Sequence, residues 1–133
     1  MNISNDSKTH KLILLVFVVI LISLVTTESL SESKTDETRQ IELLLARVEA
    51  MQDVVFIRNG KEYSSKKAAD HLRLKWNKAG RHVKTAEDFI DICGSRSSIS
   101  GKPYKIRFPD GRIEDSAVIL KELLQQIEKQ QLN

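Results

Sequence analysis

The stretch Val54–Trp76, VVFIRNGKEYSSKKAADHLRLKW, restricts the fold more than any other part of the chain. Val54-Val55-Phe56-Ile57 is a β-branched and aromatic run, and Asn59-Gly60 follows it. A two-residue hairpin turn requires positive φ at both central positions, which Asn and Gly adopt at least cost. Lys61-Glu62-Tyr63 returns as the second strand. Ser64 or Ser65 can then supply an oxygen to cap a helix carrying Ala68, Ala69, Leu72 and Trp76 on its apolar side. Gly80 stops that helix.

The remaining segments follow the same rules. From Glu37 to Gln52, the residues Ile41, Leu44, Leu45, Val48 and Met51 recur at helical spacing, with Thr35 or Asp36 as the expected cap. Thr85 caps a short helix whose first turn holds Glu87 and Asp88, where the helix dipole favours acids. Phe89, Ile90, Ile92 and Cys93 form its apolar side, and Gly94 ends it. Tyr104 to Phe108 alternates with period two, so Tyr104, Ile106 and Phe108 share one face. Pro109-Asp110-Gly111 reads as a turn and Arg112-Ile113-Glu114 as a short return. A last helix, capped by Asp115 or Ser116, runs to Glu128, and 129–133 is expected to fray. The expected fold is α+β: a small antiparallel sheet of three to four short strands packed with about four helices, in one domain over 37–128.

Ahead of that domain lies an apolar block, Leu12–Val25, fourteen residues interrupted only by Ser23. A spanning helix wants about 20 apolar residues, whereas this length suits the core of a signal peptide. The small residues that a signal peptidase requires are poorly supplied at Val25/Thr27 or Thr27/Ser29. Positions 1–29 are therefore either a cleaved signal or an uncleaved membrane anchor, followed by a linker at 30–36. Lys8 and Lys11 before the block, with Glu28 and Glu32 after it, put the N-terminus inside and the domain outside the cytoplasm. The expected location is thus exported: periplasmic, or held at the inner membrane with membrane contact through Leu12–Val25.

FIRNG, AADHLRLKW, TAEDFID, SSISGKPY and the spacing between them closely resemble the YfeK-like proteins, a family of small exported bacterial proteins known as a domain of unknown function. The resemblance covers about Glu37 to Leu124. It implies a bacterial envelope protein and carries no activity over. Some members place cysteines at the positions of Val54 and Phe108, which would set the first strand beside YKIRF if they pair. Both positions are apolar here. Cys93, the one cysteine of 133 residues, permits no intrachain disulfide.

Several chemistries can be set aside. Six residues separate Gly94 from Gly101, and Pro103 follows Lys102, so the G-x-x-x-x-G-K-[ST] geometry of a phosphate loop is not met. The same loop could still form a plain anion nest, or be a structural turn whose serines satisfy their own backbone. Ser64-Ser65-Lys66-Lys67 holds the S-x-x-K spacing of some acylases without their other motifs, and capping accounts for its serines. No H-E-x-x-H or paired ligand accompanies His10, His71 or His82, so no metal and no cofactor is expected. Cys93, near a helix C-terminus, is placed where the dipole disfavours a thiolate and reads as core.

Charge is the remaining signal. The net charge is +3, too mild for a dedicated nucleic-acid binder. Within it, Arg73, Lys75, Lys78, Arg81 and Lys84 run without an acid, and Arg96, Lys102, Lys105, Arg107 and Arg112 have only Asp110 among them. Folded together, these would make one positive face for anionic lipid, an envelope polymer or an envelope protein. Otherwise they are an ordinary solvated surface. The expected function is a non-enzymatic binding module for an anionic envelope component or a protein partner. Its binding residues would be Arg58, His71, Arg73, Lys75, Arg96, Ser97, Ser98, Ser100 and Lys102. The alternative is a small hydrolase or inhibitor acting on envelope polymers, which requires His71 and a loop serine in hydrogen-bond reach.

Overall fold

The computed structural model describes the backbone over positions 6–132, and side chains at 10–15 and 33–132. The chain divides into two compact units, Met1–Thr35 and Asp36–Asn133. Helix α1 is continuous in the backbone from Asp6 to Ala50. The stretch read as a linker, 30–36, is therefore helical, and neither Thr35 nor Asp36 is a cap. Serine, threonine and glutamate suit a linker, but Leu30, Glu32 and Lys34 are good helix formers and no Gly or Pro interrupts the stretch. The expected signal or anchor, 1–29, falls mostly on positions whose side chains lie outside the described residues, 1–9 and 16–32. Among the described residues no helix is long and apolar enough to cross a membrane.

In the second unit, β1 (Val55–Arg58) and β2 (Lys61–Tyr63) form the hairpin. Asn59 and Gly60 hold φ of 51° and 76°, the paired left-handed turn that these two residue types adopt at least cost. Helix α2 (Ser65–Ala79) follows, with Ser64 Oγ accepting from the Lys67 amide. Ser65 does not cap. It is buried at the helix start, and its hydroxyl donates to the Met51 carbonyl at 2.6 Å, tying α1 to α2. Helix α3 (Ala86–Phe89) begins with a full capping box, Thr85 accepting from the Asp88 amide and Asp88 from that of Thr85. It runs on as one wide π-helical turn, Ile90–Gly94. Strands β3 (Lys105–Arg107) and β4 (Ile113–Asp115) lead into α4 (Ser116–Gln131), which keeps Lys129 to Gln131 helical where fraying was expected.

The sheet order is β2-β1-β3-β4, all antiparallel. Tyr63, Phe56, Ile106 and Glu114 stand in one cross-strand row, and its two middle members, Phe56 and Ile106, pack into the core. Val54 and Phe108 each lie one residue beyond the Val55–Arg107 pair, so β1 lies beside β3, and both are partly buried against the core. The core itself joins Leu44 and Val48 of α1, Leu72 of α2, Phe89, Ile90 and Cys93, and Leu120 and Leu124 of α4. Ile92 is the exception to the apolar pattern, exposed because the widened turn rotates it outward.

Candidate functional site

Alternation along the strands decides what reaches the site. Arg58 is two residues from the buried Phe56, so it points to the same face, the one the helices cover. Tyr104 is likewise two residues before the buried Ile106, and the β1–β3 register sets it on the rung opposite Arg58. Helix α2 crosses this end of the sheet. Its positions 67, 71 and 75, one turn apart, bring Lys67, His71 and Lys75 along the same side.

Arg58, Tyr104, Lys67 and His71 meet at a cleft of about 290 Å³; Lys75 is outside its lining and reaches it only through Tyr104. Phe56, Tyr63, Leu72 and Tyr104 supply its apolar wall, with Arg58, Lys67 and His71 as basic groups and Asp70 as the carboxylate. Arg58 Nη1 lies 3.2 Å from His71 Nδ1. A guanidinium can only donate, so Nδ1 accepts and the imidazole proton sits on Nε2. That Nε2–H is buried and has no hydrogen-bond partner. The His71 ring stands edge-on to Tyr104, centroids 6.3 Å apart. Lys75 Nζ lies 5.0 Å from the centre of the Tyr104 ring, donates to the Arg96 carbonyl at 2.9 Å and approaches the Tyr104 hydroxyl at 3.5 Å.

The electrostatics follow from that crowding. Burial holds the His71 pKa below the ordinary histidine value, and the charges of Arg58, Lys75 and Lys78 lower it further. Burial also depresses Lys75, with Arg58 adding to the effect against a contribution from Cys93. It raises the Tyr104 phenol and the Cys93 thiol. His71 is therefore neutral at pH 7, and Arg58 is oriented by a neutral acceptor. Among the described residues Arg58 has no carboxylate partner, so its charge is uncompensated.

The other expected site residues are distributed differently. Arg73 lies on another side of α2, paired with Glu49 at 2.7 Å and Asp70 at 3.2 Å, and so belongs to the α1–α2 contact rather than the cleft. The second basic run is likewise divided. Lys105 and Arg107 point to the outer face of the sheet, where Asp115 and Glu62 pair them, and Arg112 pairs with Asp110 and Glu114. The second run is thus partly neutralised by neighbouring acids. Lys75, Arg96 and Lys102 have no ion pair among the described residues.

The loop serines serve the loop. Ser97 is buried, and its hydroxyl accepts from the Ser100 amide and from Asn59 Nδ2. Ser100 Oγ donates to Asn59 Oδ1 at 2.6 Å. Ser98 is exposed. None of these hydroxyls bonds to His71, whose Nδ1 is taken by Arg58, so the Ser–His pair that a hydrolase needs is not assembled. Tyr63 and Lys67, which are not among the expected residues, also line the cleft. The hairpin and the S-x-x-K stretch held them in plain view, but only the crossing of α2 over the sheet shows that they share a cleft with Arg58.

Residues 35–128 match the family described as Family of unknown function (DUF5329). Over 68 residues the chain is 41% identical to the uncharacterized protein YfeK of Salmonella typhimurium. The matched part covers 51% of this chain and 57% of that protein, so the chain spans little more than half the length of this relative. No solved structure matches. The family match takes in the hairpin, α2, the capped α3, the serine loop and most of α4, and on that ground the chain belongs to the DUF5329 family of unknown function.

Proposed function

We propose that the chain is a non-enzymatic binding module of the bacterial cell envelope, and that the Arg58–His71 cleft takes the anionic group of a small ligand. One observation carries the reading: a guanidinium at the edge of an apolar cleft, oriented by a neutral imidazole instead of a carboxylate. A cation held by an acid is already neutralised, whereas one held by a neutral acceptor keeps its charge and its remaining donors for an incoming anion. The walls of Phe56, Tyr63, Leu72 and Tyr104 suit an apolar or aromatic body attached to that anion. The export reading of Leu12–Val25 supports a ligand found outside the cytoplasm.

The test uses benzoate and inorganic phosphate as probes in a thermal-unfolding titration of the full chain. Benzoate raises the midpoint of the wild type in a saturable way, because it binds the native state alone. It does so more than phosphate, which has no apolar body, and Arg58→Gln removes the benzoate effect. An equal effect of benzoate on Arg58→Gln, or none on the wild type, overturns the reading.

A further inference from the structure

Ile99 is 93% exposed, the most exposed large apolar side chain of the described residues. Its setting is ordered. Arg96 and Pro103 bridge at the base of the loop, the Ser97 amide donates to the Lys102 carbonyl at 2.9 Å, and the Gly101 amide donates to the Ser97 carbonyl at 2.9 Å. Two hydrogen bonds from Asn59 and Ser100 then clamp the tip to the hairpin turn. A β-branched side chain gains nothing in such a turn, where small polar residues fit best. It also gains nothing from burial in this fold. Holding it rigidly outward removes the ordering cost that a mobile loop would bear on contact.

The groups around the tip are cationic. From Ile92 to Pro109 there is no acid. Arg96 and Lys102 flank the tip and Lys61 follows the turn to which it is clamped; all three are exposed and none has an ion pair among the described residues. Lys105 and Arg107, the other bases of the stretch, are occupied by Asp115 and Glu62. One exposed apolar side chain on a tip flanked by exposed bases and serine hydroxyls fits a lipid–water boundary, where the apolar group enters and the bases reach headgroup phosphates. A protein interface would instead centre on a cluster of large side chains in a closed pocket, and the turn has no second one.

We infer that the Ser97–Gly101 tip is a membrane-contact site for an anionic lipid surface, with Ile99 inserting and Arg96, Lys102 and Lys61 engaging the headgroups. This site is separate from the Arg58–His71 cleft and does not depend on it. Because Leu12–Val25 can itself enter a bilayer, the readout must be local to the tip. The full chain carries Ile99→Cys labelled with an environment-sensitive nitrobenzoxadiazole; the native thiol, Cys93, is buried. On vesicles of phosphatidylcholine with phosphatidylglycerol the label's emission moves to the blue, and on phosphatidylcholine alone it does not. Adding Arg96→Glu and Lys102→Glu abolishes the shift. A label at the exposed Gln125 of α4 stays water-like. Unchanged emission on the anionic vesicles overturns the inference, as does an equal shift on neutral lipid, at Gln125→Cys, or in the charge-reversed variant.

Discussion

Gly94 is where α3's wide turn meets α4, and a single methyl group there should be felt across the domain. A Cβ built at Gly94 collides with Leu120 Cδ1, and Leu120 Cγ is 3.9 Å away. Leu120 is fully buried, so its side chain can yield only by displacing packed core neighbours. Gly94→Ala therefore overpacks the core, at a cost of about 1–3 kcal/mol. A domain of this size loses roughly 4–8 °C in Tm per kcal/mol. Thermal unfolding followed by far-UV circular dichroism reads the shift directly. The double variant separates this cause from others. Leu120→Ala alone costs about 2–5 kcal/mol, but it also empties the space that the new methyl would fill. Gly94→Ala in that background should add almost nothing, a coupling of at least about 1 kcal/mol for residues in contact. A Gly94→Ala variant within about 0.5 kcal/mol of the wild type, or a strictly additive double variant, refutes the packing argument.

Three further outcomes follow from the charges and burial. His71, held neutral by burial and by the cations around it, titrates below the ordinary value of 6.5. Its contribution to stability is complete above 6.5 and is lost as pH falls through the folded-state pKa. An NMR titration of the imidazole checks it, and a midpoint at or above 6.5 contradicts the assigned surroundings. Asp88 is depressed below 3.8, first by the Lys84 amide and then by the Thr85 amide that it caps. Stability from this group is present above 3.8 and drains away below it, so Asp88→Asn should flatten the acid limb of the wild-type stability profile. Cys93, fully buried with its thiol pKa raised by burial, should react with a thiol reagent only at the rate of unfolding. Fast modification of the native chain would show that the α3–α4 contact opens.

The fold was legible wherever backbone chemistry is local. Asn59-Gly60, Ser64, Gly80 and Thr85 each announce a turn or an end through what the residue itself can do, and each does so in the structure. The period-two run at Tyr104 named its buried face correctly, because burial on one side of a sheet leaves no other solution. The helical continuation through 30–36 was not legible, since polar residues exclude neither a helix nor a loop. Of the candidate cleft, the sequence offered some lining residues but not the geometry that groups them. Arg58, His71 and Lys75 stand in the sequence as basic residues like their neighbours. Only strand parity and the crossing of α2 distinguish them from Arg73, Lys105 and Arg107, which carboxylates neutralise. Carboxylate partners such as Glu49 and Glu62 come from distant segments, and charge runs read along the chain cannot see them.

Anion binding on Arg58, in the cleft between the hairpin and α2, is read from the backbone and side-chain NMR shifts of the isotopically labelled full chain as benzoate is added. Saturable changes gather at Arg58, Tyr63, Lys67, His71 and Tyr104, with the His71 ring among the largest, and disappear in Arg58→Gln. Changes centred elsewhere on the chain, or growing without saturation, would contradict it.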